Sequence, residues 1–285
     1  FLSRGFFDSS DIAFMVHAGG AFTCGKGMIG CVTKKISYKG KSAHAGAAPW
    51  DGINALYAAN CGINAINALR ETFKEPDRIR IHPIVTHGGE IVNAIPELAT
   101  LESYVRGSTF DAIMDANTKM NRALCGAALS LGANIEIVDN PGYAPLINDP
   151  NMIDVVVDAA KLTFDGSKYS FSVTDHVSTG CTDMGDISCV MPAVHPNSAG
   201  VTGAGHGNNY YVTDPVAACV ESAKWQLNML FILLQNNAER AKKVIAEFKP
   251  RFESKKAYLD YIDSIQCSGD RIVYGDNNTV TVNIK

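Results

Sequence analysis

The order of hydrophobic patterns between residues 31 and 142 constrains the fold more than any other feature of the chain. Four segments alternate with the two-residue period of strands, and two longer segments repeat apolar residues at helical spacing. The predicted strands are Cys31–Lys39, Arg78–Thr86, Ala99–Gly107 and Asn134–Val138, and the predicted helices are Asp51–Phe73 and Thr109–Leu131. This order predicts a ferredoxin-like βαββαβ domain.

Residues on both sides of that domain predict a second, larger α/β domain. Asp11–Val16 is an apolar run suited to a fully buried parallel strand. Later segments predict the helices Pro150–Leu162, Pro215–Leu234 and Asn237–Phe248, with a loop and a short strand within Val173–Val194. A chain of 285 residues has room for two domains. We therefore predict a discontinuous α/β domain from residues 1–30 and 143–249, into which residues 31–142 are inserted.

The two ends of the chain carry weaker signals. Residues 250–285 are predicted to form an extension with a charged helix at Glu253–Ile265 and an alternating edge strand at Thr279–Asn283. Nothing in its pattern indicates a role. The first residue is Phe1 in a helix-like pattern, which leads us to expect a processed or truncated N-terminus.

Charge and cysteine content narrow the functional class. The formal net charge of −4 gives no general attraction to nucleic acid. No uncharged apolar run approaches the roughly 18 residues of a membrane span. The eight cysteines include no Cys-x-x-Cys pair, a pattern typical of reduced thiols in a cytosolic protein. The sequence therefore predicts a cytoplasmic protein with neither a nucleic-acid nor a membrane partner.

His44 lies at the centre of the segment ISYKGKSAHAGAAPWDGINAL, residues 36–56. A predicted strand leads into it, and Pro49 with Asp51 opens the following helix. The neighbours of the imidazole are too small to bury it. A single loop histidine is more often an ordinary solvated side chain than a functional one, and the other motifs of the chain decide between these interpretations.

Two further histidines occupy positions suited to ligand binding. His17 ends the apolar strand Asp11–Val16, and open α/β sheets place ligands at the carboxyl ends of their strands. A histidine satisfied within the core is an equal alternative for that residue. His206 lies in the glycine-rich turn GAGHGNNYY, where the backbone can approach a ligand closely. The glycine spacing there does not match a dinucleotide-binding fingerprint.

Four motifs together resemble one known family. They are the segment GKSAHAGAAPWDGINAL, the segment GGEIVNAIPELATLESYVR, the segment CTDMGDIS and the turn GAGHGNNYY. In consistent order over residues 5–235, they resemble the metal-dependent amidohydrolases and exopeptidases that include aminoacylase, carboxypeptidase G and the indole-acetyl-amino-acid hydrolases. The similarity is greatest to the branch that acts on aminobenzoyl-glutamate or on dipeptides.

The resemblance implies a fold and a metal centre. It implies a zinc-exopeptidase-like catalytic α/β domain with an inserted lid domain, through which two copies form a homodimer. It implies two Zn²⁺ or Mn²⁺ ions per complete site, with His17 on the first metal and His206 on the second. His44 would reach across the dimer and stabilise the oxyanion of the tetrahedral intermediate.

The resemblance also implies substrate contacts. Asn93 and Arg106 would bind the terminal carboxylate of the substrate, for which a guanidinium is well suited. For Arg106 alone, a surface ion pair would be the more frequent role. We further expect His195 and Gly200, in the segment AVHPNSAG, to contact substrate. Asp183 is either an acidic group near the site or a helix cap, His82 and His87 are expected to be structural, and His176 is ambiguous.

The chain also departs from the family pattern. It contains no His-x-Asp, no Cys-x-His and no Glu-Glu pair. In the family that it resembles, such motifs supply the remaining metal ligands and the glutamate that acts as general base. We predict hydrolysis of an amide bond next to a free carboxylate, as in an N-acyl amino acid, an aminobenzoyl-glutamate or a dipeptide. The alternative is a non-catalytic carboxylate-binding or dimerisation protein. A third interpretation is one member of a pair of chains whose partner donates the base.

Overall fold

The computed structural model describes residues 1–284, which separate into two compact units. Unit 1 consists of Phe1–Met28 and Ala144–Leu259. Unit 2 consists of Ile29–Tyr143 and the described residues from Asp260 onward. The residues after Asp260 therefore belong to the same compact unit as the predicted inserted domain.

The regular elements are numbered in chain order. Unit 1 begins with β1 Ala13–Phe14, β2 His17–Ala18, β3 Phe22–Cys24 and β4 Gly27–Met28. Unit 2 then contains β5 Gly30–Lys39, α1 Ala55–Ala68, β6 Arg80–Ile81, β7 Ile84–His87, β8 Leu98–Gly107, α2 Phe110–Ser130 and β9 Asn134–Pro141. Unit 1 resumes with β10 Leu146–Ile147, α3 Pro150–Phe164, β11 Phe171–Val173, β12 Val177–Ser178, α4 Met184–Ile187, β13 Ala193–Val194, β14 Asn197–Ser198, β15 Val201–Thr202, β16 Tyr211–Val212 and α5 Ser222–Glu247. The remaining elements are α6 Lys255–Ile265, β17 Cys267–Asp270, β18 Ile272–Tyr274 and β19 Val280–Val282.

Unit 2 is built on one antiparallel sheet in the order β17-β9-β5-β8-β6, with β7 also paired to β8. Its two ten-residue strands, β5 and β8, pair along their whole length. The predicted βαββαβ order is confirmed, except that Pro83 divides the second predicted strand into β6 and β7, because proline cannot donate to the ladder. Strand β17 is an addition that the sequence did not predict.

Helices α1 and α2 cover one face of this sheet. Helix α1 is shorter than its prediction, because Asp51 lies in a separate turn with Pro49 and the helix is capped by the side chain of Asn54. Helix α2 begins at the predicted place, where Thr109 Oγ1 accepts from the Ala112 amide. Both helices pack on the alternate residues of β5 and β8 that point inward.

A close contact joins α1 to the sheet at Gly62. An added Cβ at Gly62 would lie 2.1 Å from the hydroxyl oxygen of Tyr38, which is fully buried. That hydroxyl donates to the Leu124 carbonyl at 3.2 Å. The absence of a side chain at Gly62 therefore lets the helix approach the tyrosine ring.

The inward face of the sheet also buries a charged pair. Lys34 and Asp139 are direct register partners on β5 and β9, they form an ion pair, and both are at most 3% exposed. Lys34 Nζ also donates to Asn121 Oδ1 at 2.7 Å, and Asn117 Nδ2 donates to Asp139 Oδ2 at 2.8 Å. These hydrogen bonds satisfy charges that would otherwise be costly to bury.

Unit 1 is assembled differently, from strands of two or three residues. Strands β1 and β2 pair in parallel with β13 and β14. The core lies between these strands and the helices α3 and α5, and it is dominated by Trp225. The rings of Phe22, Phe164 and Phe171 lie 5.2–5.8 Å from the Trp225 ring, whose Nε1 donates to the Val156 carbonyl.

Unit 1 agrees with the sequence in its long helices and departs from it in its short elements. Asp11–Val16 is only half-buried and contains the two-residue strand β1 rather than one continuous buried strand. The two helices predicted at Pro215–Leu234 and Asn237–Phe248 are confirmed, since non-helical backbone at residues 235–238 divides α5 between them. The first of them begins with a π-helical stretch at Val216–Glu221. Helix α4 was not predicted, because its four residues are too few to show a period.

None of the helices within residues 1–284 has both the length and the apolar character that a bilayer crossing requires.

Candidate functional site

His44 and Asn93 lie side by side at one end of the unit 2 sheet. The Asn93 carbonyl accepts from the Ala45 amide at 2.9 Å, and the Ala43 carbonyl accepts from the Ile95 amide at 2.9 Å. These bonds tie the loop after β5 to the loop before β8. The side chains of His44 and Asn93 are both exposed. The structure therefore brings together two of the residues that the sequence singled out.

The backbone around His44 determines its tautomer. The amides of Gly46 and Ala47 both donate to His44 Nδ1, at 3.1 Å each. A nitrogen that accepts two hydrogen bonds carries no proton, so the proton of the neutral ring is on Nε2. The exposed edge of the ring is therefore a hydrogen-bond donor.

Arg106 is partly buried near the opposite end of β8. Its guanidinium carbon lies 5.2 Å from the centre of the Tyr104 ring. Among the residues that the structure describes, no carboxylate lies within ion-pairing distance of it. The surface ion pair that was the main alternative for this arginine is thus not formed.

Asn93 and Arg106 do not meet within one chain. Strand β8 runs without interruption from Leu98 to Gly107, and Asn93 precedes its first residue. The eight residue-to-residue steps from Leu98 to Arg106 span roughly 26 Å at the usual rise of a strand. Asn93 and Arg106 of the same chain therefore cannot hold one carboxylate.

His17 is exposed on strand β2, beside β14. Its Nδ1 lies 2.8 Å from the Ala18 carbonyl oxygen. Because a carbonyl only accepts, Nδ1 must carry a proton, and in the neutral ring Nε2 therefore keeps its lone pair. Histidines that bind a metal through one ring nitrogen commonly donate the N–H of the other nitrogen to a carbonyl, which fixes the orientation of the ring.

His195 faces His17. The two ring centroids are 5.7 Å apart and the rings meet edge to face. His195 is buried, its Nε2 has no hydrogen-bond partner among the described residues, and its backbone amide donates to Asn148 Oδ1 at 2.9 Å. Burial, with a smaller contribution from His17, lowers the pKa of His195 to about 4. The ring is therefore neutral near pH 7.

His206 lies in the turn of the β15–β16 hairpin. The hairpin is attached next to His17, since the Val201 amide donates to the Gly19 carbonyl and the Tyr210 hydroxyl donates to the Ala18 carbonyl. His206 is exposed and has a φ of 64°. This left-handed conformation is uncommon for a residue with a side chain.

Gly200 has a packing role in the structure. Its φ is 99°, and an added Cβ would lie 2.4 Å from the Asp214 carbonyl oxygen. The Gly200 carbonyl accepts from the amides of Thr213 and Asp214. Gly200 therefore allows its own backbone to lie close to the start of the helix that follows β16. Its contact with substrate stays a prediction.

The remaining candidates are dispersed. Asp183 is exposed at the N-cap position of α4, but its side chain makes no capping hydrogen bond. His82 and His87 belong to unit 2, where His87 Nε2 lies 3.7 Å from Glu90. His176 is exposed in unit 1, and its carbonyl accepts from the Lys26 amide.

The candidate metal ligands do not form a complete set. Within residues 1–284, no group of three or more His, Cys, Asp or Glu side chains is placed to hold a metal ion. A catalytic zinc ion usually has three protein ligands. The lone pair of His17 suits such a site in its chemistry, whereas two imidazoles alone are too few to complete it.

The sequence did not reveal the groups that orient the two exposed rings. They are backbone atoms, namely the amides after His44 and the carbonyl after His17. For His44 a signal existed, because the small residues Ala45, Gly46 and Ala47 allow the chain to turn back over the ring. For His17 the signal was absent, since any residue at position 18 offers a carbonyl.

Comparisons with known proteins show what the chain resembles in sequence and fold. Residues 26–128 match the M20 peptidase dimerisation domain. The chain is 27% identical over 197 residues to the Xaa-Arg dipeptidase of Mus musculus, a match that covers 68% of this chain and 45% of the dipeptidase. It is 28% identical over 182 residues to a p-aminobenzoyl-glutamate hydrolase homolog of Haemophilus influenzae, covering 60% of this chain and 41% of the relative.

A solved structure agrees with these matches in its fold. It is a Bacillus subtilis protein described as a dinuclear metal binding peptidase from the M20 family, with a TM-score of 0.59 and 21% identity, covering 82% of this chain and 60% of that one. The chain spans less than half the length of the two curated relatives. The predicted fold class and resemblance are confirmed. The chain is thus similar in sequence to peptidases and amidohydrolases and similar in fold to an M20-family peptidase, and residues 26–128 match a peptidase dimerisation domain.

Proposed function

We propose that this chain acts in the metal-dependent hydrolysis of an amide bond next to a free carboxylate. The substrates would be N-acyl amino acids, aminobenzoyl-glutamate or dipeptides, as the names of its relatives suggest. One observation carries the proposal. The two exposed imidazoles are held in opposite tautomers, His17 with a lone pair on Nε2 and His44 with a proton there. Metal-dependent amide hydrolysis uses both a metal ligand and a donor to the oxyanion.

His44 takes the role of the oxyanion donor in this proposal. Its Nε2–H group is exposed and the ring is held by two backbone amides. A donor that is already oriented stabilises the negative charge of the transition state without further reorganisation. By resemblance to the family, His44 of one copy would act on substrate held by a second copy.

Substrate carboxylate binding falls to Arg106, whose guanidinium has no acidic partner among the described residues. Paired hydrogen bonds from a guanidinium fork suit a carboxylate. Asn93 lies beside His44 at the other end of β8. If Asn93 and Arg106 both contact one substrate molecule, they belong to different copies of the chain. His195 and Gly200 are proposed as further substrate contacts.

His17 and His206 are proposed as metal ligands, with Zn²⁺ or Mn²⁺ as the metal. A bound divalent ion would polarise the amide carbonyl and lower the pKa of a water molecule. The Ala18 carbonyl keeps the His17 lone pair available, and the hairpin that bears His206 is hydrogen-bonded to Ala18 and Gly19. The site needs ligands beyond these two side chains.

We propose a homodimer formed through unit 2. Its support is the match of residues 26–128 to a dimerisation domain. A cytoplasmic location is also proposed, because all eight cysteines are free thiols, two of them exposed.

Hydrolysis assays test the proposed activity. The full chain is incubated with zinc or manganese and with an N-acyl amino acid, aminobenzoyl-glutamate or a dipeptide, with and without a chelator. We expect turnover that the chelator abolishes and that His44→Ala lowers by about 100-fold or more in kcat, the cost of losing one oxyanion donor. Turnover that persists after metal removal would contradict the proposal, and absence of both turnover and bound metal would favour the non-catalytic alternative.

The tautomers can be measured independently of activity. Nitrogen-15 spectra of the imidazole rings should show the proton of neutral His17 on Nδ1 and that of neutral His44 on Nε2. His82, which is exposed and has no assigned role, serves as the reference ring. The same tautomer for His17 and His44 would remove the observation on which the proposed roles rest.

A further inference from the structure

Two arginines lie opposite each other on the exposed face of the unit 2 sheet. Arg80 on β6 and Arg106 on β8 are direct register partners, and so are their neighbours Ile81 and Val105. Ile81 and Val105 are at most 1% exposed, in the core that the sheet shares with α1 and α2. Because successive side chains of a strand point to opposite faces, Arg80 and Arg106 both point away from the helices.

This placement brings two like charges together. Side chains directly opposite in an antiparallel pair have Cβ atoms roughly 5 Å apart, and two positive charges there repel each other. Among the described residues, neither guanidinium has a carboxylate within ion-pairing distance. Arg80 Nη1 donates only to the neutral carbonyl of Ile79, at 2.9 Å. The pair is therefore a concentrated positive charge that a bound anion would neutralise.

We infer that Arg80 binds a second carboxylate of the substrate, beside the carboxylate that Arg106 binds in the proposed function. The substrate is then the amide of an acidic amino acid, whose α-carboxylate contacts Arg106 and whose side-chain carboxylate contacts Arg80. A guanidinium presents its donors as a planar fork, so each arginine suits one carboxylate. This inference rests on the proposed function and narrows its substrate class.

The neighbouring surface has room for the rest of such a substrate. A depression of about 540 Å³ on the sheet is lined by Tyr104, and Thr33 and Asn140 also line it. The guanidinium carbon of Arg106 lies 5.2 Å from the centre of the Tyr104 ring, so the arginine pair borders this depression. The same ring contact holds the Arg106 guanidinium in place, which lowers the entropic cost of binding.

The two lysines that line the depression each have an acidic partner, unlike the arginine pair. Lys34 forms its ion pair with Asp139, and Lys35 lies directly opposite Glu102 in the pairing of β5 with β8. A lysine opposite a glutamate is a favourable cross-strand pair, whereas two opposed arginines are not. The arginine pair is thus the part of this surface that favours an anionic ligand.

Binding of N-acetyl amino acids tests this inference without turnover. The full chain, freed of metal so that neither ligand is hydrolysed, is titrated by calorimetry with N-acetyl-glutamate and with N-acetyl-glutamine, whose side chain is neutral. We expect N-acetyl-glutamate to bind about tenfold or more tightly, the contribution of one hydrogen bond between charged groups. Equal affinities, or no binding of either compound, would overturn the second carboxylate site.

A matched pair of variants separates Arg80 from a general effect of charge. Arg80→Gln should weaken N-acetyl-glutamate binding by about tenfold or more and alter N-acetyl-glutamine binding much less, so that the preference between the two compounds falls. Arg122→Gln removes the same charge from an exposed position on α2 and should keep the preference of the natural chain. A preference that survives Arg80→Gln, or that falls equally in both variants, would overturn the inference.

Stability gives a readout that distinguishes binding from a structural role. Removing one of two opposed charges relieves their repulsion, so Arg80→Gln should keep or raise the melting temperature of the ligand-free chain. A clear fall would show that Arg80 serves the fold and would overturn the inference.

The inference and the proposed function fail in different ways. A chain that prefers N-acetyl-glutamate, yet hydrolyses no amide with zinc or manganese present, would contradict the proposed function and leave the second carboxylate site standing. Hydrolysis without any preference between N-acetyl-glutamate and N-acetyl-glutamine would overturn the second site and leave the proposed function standing.

Discussion

Units 1 and 2 solve the problem of building a core in different ways. Unit 2 uses strands of up to ten residues and buries the ion pair of Lys34 and Asp139 among aliphatic side chains. Unit 1 uses strands of two or three residues and gathers aromatic rings around Trp225. The long pairing of β5 with its neighbours can hold a buried ion pair in place, because backbone hydrogen bonds continue along the strands on both sides of that pair. Unit 1 has few such bonds, and its stability should depend on ring packing.

The largest effect is expected for Trp225→Ala. It removes a fully buried ring together with its contacts to Phe22, Phe164 and Phe171. We expect a loss of about 4–5 kcal/mol in the free energy of unfolding of unit 1. Urea denaturation followed by far-UV circular dichroism measures it, with Leu227→Ala, at a 64% exposed position, as the control. Similar losses for the two variants would contradict the role assigned to the rings.

The next effect concerns the ion pair of unit 2. Asp139→Ala leaves Lys34 buried without its partner, and we expect a loss of about 3 kcal/mol. The double variant Lys34→Met with Asp139→Leu should lie within about 1 kcal/mol of the natural chain, because no charge remains to be satisfied. Thermal and urea unfolding of the two variants measure this difference. Equal losses would show that the pair contributes through packing rather than charge.

Much of unit 2 was predictable from the sequence, and much of unit 1 was not. Strands β5, β8 and β9 are long enough for their two-residue period to be unambiguous. Strands such as β1, with two residues, contain a single repeat of that period, which is too little to recognise. Their positions depend on partners far along the chain, as in the pairing of Ala13 with Ala193.

The same limit applies to the candidate site. His44, His17 and His206 were identifiable from local motifs, since each lies in a loop or at a strand end with small neighbours. The facing position of His195 and His17 was not, because it depends on the parallel pairing of β2 with β14. The separation of Asn93 from Arg106 within one chain follows from the length of β8, whereas the resemblance to the family implies only that both bind the substrate carboxylate.

A smaller effect is expected for glycine replacements in the two units. Gly200→Ala should cost about 2 kcal/mol, because its φ is 99° and the new methyl group would meet the Asp214 carbonyl. Gly126→Ala on α2 has open space around it, and should stabilise unit 2 by up to about 1 kcal/mol through helix propensity. Melting temperatures measure both. A destabilising Gly126→Ala would show that unit 2 is less regular than its ladder suggests.

The smallest effect concerns pH. Burial raises the pKa of Asp186, which accepts from the Tyr258 hydroxyl in unit 1. A carboxyl whose pKa is higher in the folded state favours folding at low pH, and that contribution is lost as the pH rises through its folded pKa. Asp186→Asn should therefore raise the melting temperature at pH 7 and have little effect near pH 4. A constant shift at both pH values would contradict this account.

The contact of Gly62 with Tyr38 links two positions that are far apart in the sequence. A methyl group at position 62 would overlap the phenol oxygen, so alanine is excluded there as long as residue 38 is tyrosine. Replacing the tyrosine by phenylalanine removes that oxygen and relieves the overlap to a tight contact, since the ring carbon Cζ lies 3.1 Å from the added Cβ. The two sites should therefore change together during evolution, and Tyr38→Phe should rescue Gly62→Ala.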